Sequence, residues 1–88
     1  KNELDKAETY IKKALRIKPN DFYSYFLKGK IYEKEDNLEK VELMYKKSIK
    51  INPDWFYSHY ALCKVYIKQN NPLFIKELKE TLRLNPSF

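Results

Sequence analysis

His59 and Cys63 are the chain's single histidine and single cysteine, and they stand four residues apart. On a helix that spacing puts imidazole and thiol on one face, as a nucleophile with its base or as half a metal site would need. Neither chemistry can be completed. No second histidine or cysteine exists to close a metal site, and no third group is marked out to orient the base. A phosphate-cradling loop needs several glycines, and the chain has one. Runs of the H-E-x-x-H or G-x-S-x-G kind are absent as well. The pair therefore reads as buried packing, and the protein as non-catalytic, with no metal and no cofactor.

A second set of residues does carry a signal. "DFYSYF" at 21–26 returns as "WFYSHY" at 55–60, 34 residues later, and the likeness continues through "FYSYFLKGKIY" and "FYSHYALCKVY". At about 100° per residue, Tyr25, Gly29 and Tyr32 form one helical stripe with Phe22 beside it. Phe22, Tyr25 and Tyr32 are expected in the core, with Gly29 allowing close approach of a neighbouring helix. Tyr23, Phe26, Lys30 and Lys34 fall on another face, and the second copy answers with Tyr57, Tyr60, Lys64 and Lys68. Tyrosine and phenylalanine supply rigid contact area at low entropic cost, and lysines favour a partner with acidic groups. The plainer alternative makes the rings ordinary packing and the lysines a solvated face.

Helices are needed to position these sets, and the chain spells them out. Pro19, Pro53 and Pro86 end the phrases "LRIKP", "IKINP" and "LRLNP" at spacings of 34 and 33 residues. Within each period a first helical pattern (Phe22, Tyr25, Gly29, Tyr32) is followed by a second (Leu38, Val41, Tyr45, Ser48, Ile49). Asp36 or Asn37 can cap the second helix, and Asp21 or Asp54 the helix after each proline. No sustained alternation points to strands. The expectation is an all-α chain of five helices, one unpaired and then two pairs, the first spanning about residues 3–18. Eighteen basic and twelve acidic residues give a net charge of +6 without any basic block. No apolar run is long enough to span a membrane. One cysteine excludes an internal disulfide and leans toward a reducing, cytoplasmic compartment.

Taken together, this layout resembles the tetratricopeptide repeat (TPR) family, whose 34-residue pattern is W-x-x-L-G-x-x-Y, then A-x-x-x-F-x-x-A, then P. Tyr25, Gly29, Tyr32, Val41, Tyr45, Ser48 and Pro53 match it in the middle repeat. Ala7, Ile11, Ala14 and Pro19 match in an incomplete first one, and His59, Leu62, Cys63, Tyr66, Phe74, Leu78, Thr81 and Pro86 in the last. The resemblance implies an α-solenoid of antiparallel helix pairs, about two and a half units. These are residues 1–20 as a second helix, 21–53 and 54–86 as complete repeats, and 87–88 as the start of a further unit. It also implies that the first helices line a concave groove for a peptide or a partner's helix, here through Tyr23, Phe26, Lys30, Lys34, Tyr57, Tyr60, Lys64 and Lys68. The asparagines of the chaperone-tail clamp are missing from the matching places, which disfavours that ligand. Asp36 and Asn70 stand where the turn glycine is usual, and Asn71 replaces a leucine, so the last helix is expected to sit differently. Two other readings stand beside this one: sequence-tolerant binding of single-stranded nucleic acid by rings and lysines, and a purely structural segment of a longer solenoid. The chain opens inside a repeat, and is expected to be a piece of a longer protein. Ala7, Ile11 and Ala14 at one end and Leu82 and Leu84 at the other are expected to lack cover, favouring self-association.

Overall fold

The computed structural model describes residues 2–88, which form five α-helices and, among the described residues, no strand. Lys1, where the expected opening segment begins, lies outside the described residues. The helices are α1 (Asn2–Ile17), α2 (Phe22–Lys34), α3 (Leu38–Ile51), α4 (Phe56–Lys68) and α5 (Phe74–Leu84). Among the described residues, substantial contacts join only consecutive helices, and they are densest within the pairs α2–α3 and α4–α5. The result is a helical solenoid rather than a bundle closed on itself.

The turns inside the pairs follow from single residues. Asp36 and Asn70 take left-handed backbone, φ 60° and 53°, which Asp and Asn tolerate better than other non-glycine residues. That conformation brings the Asn37 N–H back to the Tyr32 carbonyl (3.1 Å) and the Asn71 N–H to the Tyr66 carbonyl (2.8 Å). These bonds satisfy carbonyls that a helix end leaves open. Asn37 then starts α3, its side chain accepting the Lys40 N–H at 3.3 Å. Asn71 does more than replace a leucine. Its side-chain oxygen accepts the Leu73 N–H at 3.0 Å and its carbonyl the Phe74 N–H at 3.1 Å. This tight turn delays the start, so α5 has 11 residues where α3 has 14.

The aspartates after the prolines behave differently from expectation. Asp21 occupies the cap position of α2, but its carboxylate accepts the Ser24 hydroxyl (2.6 Å) instead of a backbone N–H. At the start of α4 the cap position belongs to Trp55, not Asp54. Trp55 offers no acceptor, and Ser58 turns to Ser48 across the α3–α4 contact, 2.8 Å away and buried. Ala14 stands at the equivalent of Ser48, which explains why Ser24 needs Asp21 and Ser58 does not.

The core is centred on Val41 and Tyr45 of α3 with Ala61, Leu62, Val65 and Tyr66 of α4, none more than 2% exposed. Gly29 is where α2 meets it. A Cβ there would lie 2.5 Å from Tyr45 Cε1, so the ring rests directly on the helix backbone. The Tyr45 hydroxyl is buried with no hydrogen-bond partner among the described residues. Burial first, and the nearby Glu33 carboxylate second, hold it well above the usual phenol range. Phe22, Tyr25 and Tyr32 are half-buried rather than fully enclosed. At the open end of α1, Ile11 is covered after all, at 5% exposure. The bare residues are Tyr10 and Ile17, 69% and 85% exposed.

Candidate functional site

Two helices of the same face, one period apart, build a continuous surface. Tyr23, Phe26 and Lys30 of α2 with Tyr57, Tyr60 and Lys64 of α4 line a depression of about 410 Å³. Lys30, Lys34, Lys64 and Lys68 line a second of about 460 Å³, together with Glu33. Lys30 and Lys64 belong to both, so all eight residues expected at a groove lie along one seam. The sequence pairs them by repetition; the solenoid lays the repeats side by side.

Trp55 was not among the expected groove residues, yet it forms a wall of the aromatic depression. Its ring meets Phe26 edge-on at 4.8 Å, Phe22 at 5.2 Å and Tyr23 at 5.6 Å, and leans on Tyr57 at 5.5 Å. Phe88 repeats the arrangement one period on, against Phe56 (5.2 Å), Tyr57 (6.4 Å) and Tyr60 (4.7 Å). The signal was present: Trp55 and Phe88 both follow a proline by two residues. Such edge-to-face contacts are favourable arrangements of ring quadrupoles. Phe26 also packs on core Tyr45 at 5.6 Å, so it serves both groove and core. Tyr23 and Tyr57 remain the open members, 48% and 46% exposed.

The lysines divide into two roles. Lys30 lies over the Phe26 ring (5.3 Å) and Lys64 over the Tyr60 ring (4.6 Å), within cation–π range. Lys30 also approaches Glu33 at 3.8 Å. Among the described residues no ion pair engages Lys34, Lys64 or Lys68. Lys34 and Lys68 end their helices, where positive charge complements the helix dipole.

His59 and Cys63 line neither depression. His59 is buried, its Nδ1 2.7 Å from Glu77 Oε1 on α5 and its Nε2 2.8 Å from the Pro53 carbonyl. Both neighbours are acceptors, so only the imidazolium form can donate to both at once. The hydrogen bond to Glu77 raises the histidine's pKa, against the opposing effect of burial, with the Pro53 carbonyl assisting. Tyr25, the same position one repeat earlier, donates its hydroxyl to Pro19 in the same manner at 3.2 Å. Cys63 is a buried free thiol whose pKa is pushed up by burial. No group of three or more metal-ligating side chains is found among the described residues.

These geometries sit on a recognisable frame. The family model described as tetratricopeptide repeat matches residues 1–21 and 22–54, more than half of the chain. A TPR repeat-containing protein of Methanocaldococcus jannaschii is 49% identical over 35 residues. That stretch is 40% of this chain and only 11% of the relative, which is a far longer protein. With the paired helices, the asparagine and aspartate turns and the recurring prolines, the match is decisive: the chain belongs to the tetratricopeptide repeat family.

Proposed function

We propose that the chain is a non-catalytic protein-interaction module that holds a peptide segment bearing acidic groups in the α2–α4 groove. The family's general role is protein–protein interaction, and one observation supports this particular surface. Rings and lysines from two helices converge on a single seam, with Tyr23 and Tyr57 still half exposed and no ion pair on Lys34, Lys64 or Lys68. Residues kept only for the core would be enclosed, as Val41 and Tyr45 are.

Two of the four rings, Phe26 and Tyr60, serve nucleic acid poorly. Base stacking needs an open ring face. Phe26 has Lys30, Tyr45 and Trp55 against it, and Tyr60 has Lys64 and Phe88. The test is a display library of acidic and neutral peptides, followed by Tyr23→Ala with Tyr57→Ala. Acidic ligands are expected to be enriched, and the double variant to weaken them by about 1–3 kcal/mol with little change in melting temperature. Enrichment of neutral or basic ligands, or tight poly-U binding with a steep salt dependence, would overturn the proposal.

A further inference from the structure

We infer that the groove reads an extended segment in one register: an aromatic anchor beside Trp55, with acidic residues at the second and fourth positions from it. The inference rests on the groove proposed above and adds the spacing and the residue that enforces it. The seam presents three rungs, Phe26 with Tyr60, Lys30 with Lys64, and Lys34 with Lys68. Successive rungs are four residues apart, a helical rise of about 6 Å. Side chains on one face of an extended strand recur every second residue, about 6.6 Å apart. Over two rungs the strand has drifted from the helix by only about 1 Å. A strand laid along the seam therefore keeps every second side chain over a rung.

Chemistry sets the order of the rungs. The aromatic rung is bounded by Trp55, which stands between the rings of α2 (4.8 Å to Phe26) and Tyr57 of α4 (5.5 Å). That ring walls the aromatic depression, where the half-exposed Tyr23 and Tyr57 offer contact area to an aromatic side chain. The middle and lower rungs are lysines, with Glu33 the one acid lining their depression. Lys34, Lys64 and Lys68 have no ion pair among the described residues, so two carboxylates placed there meet uncompensated positive charge. The intervening residues of the ligand point to solvent and are unconstrained.

The experiment titrates four short blocked peptides into the full 88-residue chain, reading the emission of Trp55, the single tryptophan. Phe-Ser-Glu-Ser-Glu and its reverse, Glu-Ser-Glu-Ser-Phe, carry the acids on the anchor's face. Phe-Glu-Ser-Glu-Ser has the same composition with the acids on the opposite face. The fourth spaces the anchor and two glutamates at four-residue intervals, as a helical ligand would. One of the first two is expected to bind at least about tenfold more tightly than the off-face isomer, a discrimination of about 1.4 kcal/mol. Lys68→Gln should reduce the contribution of the outer glutamate alone. Trp55→Phe, which keeps a ring, should reduce the preference for an aromatic anchor over serine while leaving the acid preference. If all peptides bind alike and Lys64→Glu with Lys68→Glu abolishes binding, the register is wrong and the groove stands. Preference for the helical spacing overturns the register in the same way. If no peptide binds or shifts Trp55 emission, the register and the groove reading fail together.

Discussion

At the scale of single residues, the proton on His59 is the most informative detail. Its neutral form would turn a lone pair toward either the Glu77 carboxylate or the Pro53 carbonyl, so the folded chain favours the charged ring. The raised pKa follows from the hydrogen bond to Glu77 first, with the charge of Glu80 adding to it. A folded pKa above the unfolded one means stability fully present below about pH 6.5 and lost as pH rises through the folded value. Melting temperature is therefore expected to fall between pH 6 and pH 9 in wild type and to stay level in His59→Tyr, which keeps a donor to Pro53. Glu77→Leu should cost about 3 kcal/mol at pH 6 by leaving a buried charge alone, and less at pH 9. Denaturant titration at the two pH values checks both. The sequence showed His59 as packing but not its partner, because the two lie on different helices 18 residues apart. A charge at Glu77, where α3 carries Met44 on its apolar side, was the available clue.

At the scale of elements, helix ends were legible and helix neighbours were not. The prolines, the Asn37 cap and the two left-handed turns follow from local chemistry that a one-dimensional reading captures. Asp21 was harder, because a serine's choice of acceptor depends on whether the facing helix offers Ala14 or Ser48, and at Asp54 the cap position falls one residue later, on Trp55. The turns give a direct check. Asp36→Gly and Asn70→Gly remove the remaining left-handed cost and are expected to be neutral or stabilising, by less than about 1 kcal/mol. Asn70→Val should cost about 1–2 kcal/mol, since a β-branched residue is penalised at φ 53°. Equal stability of the glycine and valine variants in urea unfolding would mean the turn relaxes to another conformation.

At the scale of the whole molecule, the period of 34 residues made the solenoid readable, while the groove's membership depended on a residue outside both helices. Trp55 belongs to the connection after Pro53, and its position beside Tyr57 exists only once α2 and α4 lie together. The ends tell a similar story. Ile11 found cover on α2, whereas Tyr10 and Ile17 at one end and Leu78 and Leu82 at the other stay exposed. Burying a fully exposed side chain of this size is worth about 1.5–3 kcal/mol, of which Tyr10 and Ile17 forgo most and Leu78 and Leu82 less than half. After the entropic cost of association, several of them support a dimer with Kd about micromolar to millimolar. Light scattering should show apparent mass rising with concentration, and Ile17→Glu with Leu82→Glu should hold the chain monomeric. A wild-type monomer throughout that range would mean the open ends are not adhesive.

The aromatic contacts after Pro53 and Pro86 bear on how such a chain lengthens. Trp55 plugs the rings of the helix before it, and Phe88 plugs the rings of the next. A duplicated unit thus arrives carrying both halves of its joint: the ring that fits the preceding copy and the ring cluster that receives the following one. Growth by copying needs no new interface to be invented, only the old one repeated. The two joints use different rings, tryptophan in one and phenylalanine in the other, and both fit.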